Sequence, residues 1–210
     1  MKPQKIINTR SGILVIVLLF CCHRGIAQIN HDKPYNKFAI EAGANYSNMN
    51  FNEGYPAPTT PIENSWKPGF SAGIFFKIPL SQNLFLQPGY FYLHRNGADK
   101  GVDTDYSLDY FAFPLLLKYR ISRLIDIVAG PQAELLIHAN SINNDIKTDI
   151  THDTEERSVA VTAGFNIHFL QSFYISARYL QGLNHIGLGQ RSDVKEFRYQ
   201  EASLLIGFDF

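Results

Sequence analysis

Alternation dominates this chain. From Leu124 to His138, apolar and polar positions exchange with a period of two. Ile125, Ile127, Ala129, Pro131, Ala133, Leu135 and Ile137 share one face; Asp126, Val128, Gly130, Gln132, Glu134, Leu136 and His138 share the other. A period of two marks a β-strand, whose side chains point alternately to opposite faces. The pattern recurs in eight segments: 38–48, 67–78, 84–95, 106–119, 124–138, 158–169, 173–183 and 198–210. These predicted strands run 11 to 15 residues, against about 5–6 in soluble proteins. A tilted membrane-crossing strand needs about 9–11.

The connections sort by length. Residues 79–83, 120–123 and 170–172 are short turns, whereas 49–66, 96–105, 139–157 and 184–197 are long. Outer-membrane barrels place short turns in the periplasm and long loops outside. The expected fold class is therefore all-β: an eight-stranded antiparallel, up-and-down transmembrane β-barrel with both termini periplasmic. No apolar run of 18 residues follows Gln28, so no membrane helix is expected there. The last strand puts Ala202, Leu204, Ile206, Phe208 and Phe210 on one face and ends on an aromatic. Phe208 and Phe210 thus make a candidate C-terminal signal for the β-barrel assembly machinery, an expected partner during biogenesis.

The first residues follow a different pattern. Lys2, Lys5 and Arg10 precede an apolar run from Gly12 to Cys22, and small residues stand at Gly25 and Ala27. This predicts a secretory signal peptide cleaved after Ala27. The apolar run is short for a membrane span, which needs about 20 residues. The domain plan is a signal peptide at 1–27, a short periplasmic segment at 28–37 and the barrel at 38–210. The signal holds four of the 19 basic residues and no acid, leaving 15 basic against 19 acidic, a net charge of −4. Both cysteines, Cys21 and Cys22, leave with it. An exported chain without cysteine depends on backbone pairing and packing rather than disulfides.

Composition narrows the picture further. The whole chain balances 19 basic and 19 acidic residues, which argues against a nucleic-acid partner. Aromatic residues make up 13%. Tyr35, Phe38, Tyr46, Trp66, Tyr92, Tyr106, Tyr119, Phe169, Phe173, Tyr179 and Phe210 stand near strand ends, where they would form girdles against outer-membrane lipid.

Several motifs then occur in a fixed order. Phe38-Ala-Ile-Glu-Ala-Gly-Ala-Asn-Tyr-Ser-Asn48 is followed by Gly69-Phe-Ser-Ala-Gly-Ile-Phe and Leu84-Phe-Leu-Gln-Pro-Gly89. Tyr110-Phe-Ala-Phe-Pro-Leu-Leu-Leu-Lys-Tyr119, Gly130-Pro-Gln-Ala133 and Ala177-Arg-Tyr-Leu-Gln-Gly-Leu183 come next. In this order the chain resembles the PorT-like family of outer-membrane β-barrels over 38–210. Gly89 and Ala112 replace acids common in that family. The resemblance implies an outer-membrane barrel, and for some members a part in secretion and gliding machinery.

Candidate chemistry begins in the lumen. Alternation turns Glu41, Asn45, Lys77, Gln87, Arg95, Lys118, Asp126, Gln132, Glu134, Asn166, His168, Arg178, Glu201 and Asp209 inward. An eight-stranded barrel is just wide enough to be filled by side chains, and buried charges must pair. Glu41, Lys77, Arg95, Lys118, Asp126, Glu134, Arg178, Glu201 and Asp209 are therefore expected to form a structural charge network that plugs the barrel. A narrow ion or small-solute channel is the alternative.

The long loops add Asp145, Asp149, Asp153, Glu155 and Glu156 near His138 and His152. Their spacing fits no calcium loop and suggests a solvated acidic loop. Residues 55–61, rich in proline, suggest an extended arm. A lipid-modifying enzyme would need a constellation drawn from His94, His138, Ser141, His185, Ser192 and Asp193. No nucleophile elbow, phosphate loop or dinucleotide fingerprint is visible. The expected function is a non-catalytic structural or interaction role, without cofactor or metal, in which envelope or secretion-machinery proteins are candidate partners.

Overall fold

The computed structural model describes residues 37–54, 59–101, 103–144, 146–188 and 195–210. The predicted signal peptide, residues 28–36 with Tyr35, residues 55–58, Asp145, Ser192 and Asp193 lie outside the described residues.

Eight long strands carry the fold: β1 (Phe38–Asn50), β2 (Asn64–Phe76), β3 (Leu84–Asp99), β4 (Thr104–Arg120), β5 (Ile125–Asn143), β6 (Arg157–His168), β7 (Phe173–Gly182) and β8 (Lys195–Asp209). Each pairs antiparallel with its chain neighbours. β1 also pairs with β8, from Ala39↔Asp209 to Asn50↔Arg198. That last ladder closes the sheet into a barrel. Closure satisfies the backbone within hydrocarbon, where no water is available to do it. Short strands at Ile78–Pro79, Ile146–Asp149 and Ile186–Leu188 extend β3, β5 and β8 respectively.

Strand faces separate as the alternation dictates. On β4, Phe111, Phe113, Leu115, Leu117 and Tyr119 are exposed, whereas Tyr110, Ala112, Leu116 and Lys118 are buried. On β5 the exposed run is Ile125 to Ile137 in steps of two. At about 3.3 Å per residue and a tilt of about 40°, it rises ~30 Å, enough for an apolar band of about 25 Å. Above Phe111 the outward positions of β4 become Asp109, Ser107 and Asp105. This change from aromatic to polar marks the outer edge of the band.

The departures from the sequence expectation lie beyond that edge. Residues 96–105, expected as a long loop, are mostly strand: β3 runs to Asp99 and β4 begins at Thr104. Gly97 serves packing in this strand. A Cβ there would run into the Met49 side chain.

His138, expected inward, is turned out by a bulge. The β4–β5 register shifts between Asp109↔His138 and Tyr110↔Leu136, so Ile137 is the extra residue and the phase flips. Tyr106, expected in a girdle, is buried and packs against Phe51 with ring centroids 6.0 Å apart.

Candidate functional site

The lumen holds the charges in three tiers. In the upper tier Arg95 is fully buried. Its Nη1 and Nη2 donate to Glu134 at 2.7 and 2.9 Å, and its Nε donates to Glu201 at 2.5 Å. Gln132 Nε2 donates to Glu134 Oε1 at 2.7 Å. The guanidinium lies 4.7 Å from the ring centroid of Tyr199 and 5.6 Å from that of Tyr110. β3, β5 and β8 supply the three charged groups, so one cation braces separate parts of the wall.

In the middle tier Glu41 Oε1 accepts from Arg178 Nη2 at 2.7 Å and from the Tyr174 hydroxyl at 2.7 Å. Arg178 also lies over Phe75, 5.0 Å from its centroid. In the lower tier Asp126 Oδ2 meets Lys118 Nζ at 2.6 Å and His168 Nε2 at 2.7 Å. Arg120, nearly half exposed, reaches Asp126 at 3.6 Å. Lys77 pairs with Asp209. All nine charged residues that alternation turns inward are thus in ion pairs. Asn45, Gln87, Gln132 and Asn166 are buried beside them. A buried charge without a partner costs several kcal/mol, on the order of 3–5 when one member of a pair is removed. The pairing makes this filling tolerable.

A second closure stands above the charges. The 3-10 turn Phe51–Glu53 is capped by Asn50, whose side chain accepts from Asn52 N at 3.1 Å. It folds Phe51 over the barrel end, 5.6 Å from Phe197 between centroids. Met49, Leu108, Ala139, Ile186 and Leu188 are buried in the same cluster, with Ile62 and Ile150 packed against it. Asn52 pins the returning chain as a strand partner would: Oδ1 accepts from Ile62 N at 2.8 Å and Nδ2 donates to Ile62 O at 2.9 Å. Sequence reasoning missed this apolar seal, because Phe51 sits in a connection without periodicity. It also left Tyr110, Tyr174 and Tyr199 unplaced, although the parity of their strands turns them inward.

Among the described residues the catalytic candidates have different side-chain partners. On the outer wall His94 Nδ1 lies 2.7 Å from Asp109 Oδ1, which also accepts from the Tyr92 hydroxyl at 2.8 Å. Phe70 stacks on the imidazole at 5.1 Å. His138 Nδ1 lies 3.1 Å from the Thr151 hydroxyl and 3.9 Å from Asp149. His185 lies 3.8 Å from Glu196, and Ser141 pairs across the ladder with Tyr106.

Among the loop acids, Asp149 accepts from Thr151 N at 2.9 Å. The Thr151 hydroxyl and N–H hold its carboxyl below the ordinary aspartate range. Among the described residues no group of three or more His, Cys, Asp or Glu is placed to hold a metal ion. Trp66 stacks on Tyr46 at the outer wall, with centroids 5.9 Å apart.

Known proteins share this architecture. A family model described as outer membrane protein beta-barrel domain matches residues 26–187. No curated protein matches the sequence. Among solved structures, the chain is similar to Neisserial surface protein A, with a TM-score of 0.53 and 15% identity, over 85% of this chain and 100% of that one. It is similar to OprG from Pseudomonas aeruginosa, with a TM-score of 0.51 and 12% identity, over 84% and 96%. It is also similar to Ail, the attachment invasion locus protein of Yersinia pestis, with a TM-score of 0.50 and 13% identity, over 84% and 100%. At such identities the likeness is one of fold. The family model covers most of the chain, and the closed barrel with its apolar outer band agrees with it: this protein belongs to the outer membrane protein beta-barrel domain family.

Proposed function

We propose that this barrel is a non-catalytic outer-membrane protein with a structural or interaction role, working through its extracellular face and outer wall. The observation that supports this reading is the closure of the lumen. Arg95 is held between Glu134 and Glu201, and the Phe51 seal lies above it. A passage for solute would have to break both.

The order of PorT-like motifs supports a finer version, an accessory of a secretion or surface machine whose partners are envelope proteins. Export through the signal at 1–27 and delivery by the assembly machinery, reading Phe208 and Phe210, belong to the same proposal.

Single-channel recording on the refolded barrel tests it. The expected trace is silent. Steady conductance would replace this reading with a narrow ion or small-solute channel. Crosslinking in intact cells, with identification of what is captured, tests the accessory role; recovery of envelope or secretion components is the expected outcome.

One observation favours a second reading, an enzyme acting on lipid. The His94–Asp109 pair, with Tyr92 on the same carboxylate, sits on the outer wall where the polar zone begins. Loss of a measured lipid-ester hydrolysis in His94→Ala would establish that reading.

A further inference from the structure

We infer that the outer wall, above the membrane, binds the phosphorylated saccharide headgroup of an outer-leaflet glycolipid in a recess between Lys67, Lys100 and Asp105. The inference rests on the proposed interaction role and names a ligand for it. The recess measures about 660 Å³ and is lined by Ser65, Lys67, Ala98, Lys100, Asp105 and Ile142 among others. Sites for small ligands run about 300–1,000 Å³.

The strand ladder builds this recess. Ser65, Ala98, Asp105 and Ile142 are successive cross-strand partners on β2, β3, β4 and β5, and Lys147 of the short extension follows Ile142. Residues directly opposite each other share a face of the sheet. That face is the outward one, because Asp105 continues the outward positions of β4. Ala98 is the smallest side chain of the row, so the surface dips there. Lys67 crosses the dip from β2 to β4, and its Nζ meets Asp105 Oδ1 at 3.0 Å. Ala98 is only 5% exposed although it faces away from the lumen. The row stands two outward rows above the His94–Asp109 pair on the same ladder.

Height selects the occupant. Asp105 lies six residues beyond Phe111, where the aromatic wall ends. At about 3.3 Å per residue and a tilt of about 40°, it stands ~15 Å further out. A phospholipid headgroup layer is only about 5–8 Å deep. The sugars of a glycolipid reach beyond it.

The lining fits such a headgroup. The ammonium groups of Lys67 and Lys100 are donors for phosphate oxygens. Pairing with Asp105 leaves Lys67 with N–H donors to spare. Asp105, and Asp103 beside it in the lining, accept from sugar hydroxyls, and the Ser65 hydroxyl both donates and accepts.

Trp66 stands between two lining residues in the chain, so its emission reports occupancy. The barrel is refolded in detergent, and folding is verified by the faster gel mobility of the unheated form. It is titrated with lipopolysaccharide truncated to its phosphorylated inner core, with the same core saccharide freed of acyl chains, and with phosphatidylglycerol. Lipopolysaccharide should give a saturable emission shift. The freed saccharide should need at least tenfold more, and phosphatidylglycerol should give no saturable shift. Lys67→Gln, which removes only a partly exposed pair, should weaken binding at least fivefold. Ala98→Phe, which fills the floor, should abolish it. Co-elution of lipopolysaccharide with the barrel in gel filtration repeats the comparison without the fluorophore.

No saturable binding of lipopolysaccharide would overturn the inference. Equal binding of phosphatidylglycerol would overturn the saccharide, and equal binding of the freed saccharide would overturn the lipid. Unchanged affinity in both variants would overturn the recess as the site. Conductance and crosslinking remain separate: a silent barrel that captures envelope proteins but not lipopolysaccharide loses this inference alone, and a conducting barrel that binds it loses the plug alone.

Discussion

Arg95 and Glu134 meet through two parallel hydrogen bonds of 2.7 and 2.9 Å although their strands, β3 and β5, are not neighbours. The pair reaches over β4, and Glu201 adds a third anchor from β8. A bidentate guanidinium–carboxylate pair fixes both distance and plane. In a lumen of this size it acts as a cross-brace on the barrel's section.

Removing the cation should be worse than removing the whole group. Arg95→Met leaves two buried carboxylates facing each other, a loss of about 3–5 kcal/mol. With a urea slope of about 1–3 kcal/mol per M, the unfolding midpoint should fall by more than about 1 M. The triple variant Arg95→Met, Glu134→Gln, Glu201→Gln should recover most of that. Urea titration followed by gel mobility measures both, and a triple variant no better than the single one would deny the brace its electrostatic basis.

Parity explains what the sequence disclosed and where it stopped. An uninterrupted period of two puts Arg95, Glu134 and Glu201 on the inward face of their strands, and it separates Phe111 from Tyr110. It does not say which carboxylate meets which cation, because that depends on barrel stagger. It fails where the phase breaks. The bulge at Ile137 is set by pairing with β4, and it carries His138 from one face to the other. Phe51 lies in a 3-10 turn where no period exists. Asn96 and Gly97 have turn chemistry but lie in strand, where the Ser47 hydroxyl donates to Asn96 O and the Met49 side chain packs against Gly97.

The Asp149–Thr151 contact gives the β5 extension an acid limit. The folded carboxyl is depressed by the Thr151 hydroxyl and N–H. A depressed carboxyl stabilises above its unfolded value, about 3.9, and that contribution is lost as pH falls through the lower folded value. The turn at 149–154 should therefore stay ordered down to about pH 4 and loosen below it. Amide protection at Thr151, corrected for intrinsic exchange, reads this directly. Asp149→Asn should be less protected at neutral pH and show no such acid step.

Trp66 is the single tryptophan of the chain, and it stacks on Tyr46 at the outer wall. Interfacial aromatics sit at the level of the headgroups. Its emission should be quenched most strongly by lipids brominated near the glycerol end of the acyl chain and weakly by lipids brominated near the terminal methyl. Tyr46→Ala should shift the emission without moving the depth. The reverse order of quenching would place Trp66 inside the hydrocarbon and require a lower membrane boundary.

Phe210 separates folding from delivery. Its N–H donates to Phe38 O at 3.0 Å, and its ring packs on Phe208 with centroids 4.7 Å apart, facing outward. Phe210→Ala keeps the backbone bond that fastens β8 to β1 and deletes only a side chain that is 57% exposed. Removing such a side chain should change the folded barrel little, within about 1 kcal/mol. If the assembly machinery reads the terminal aromatic, the same change should lower the amount in the outer membrane several-fold. The comparison is between refolding yield into detergent and abundance in cells. Equal losses in both would make Phe210 a packing residue, and no loss in either would move the assembly signal elsewhere on β8.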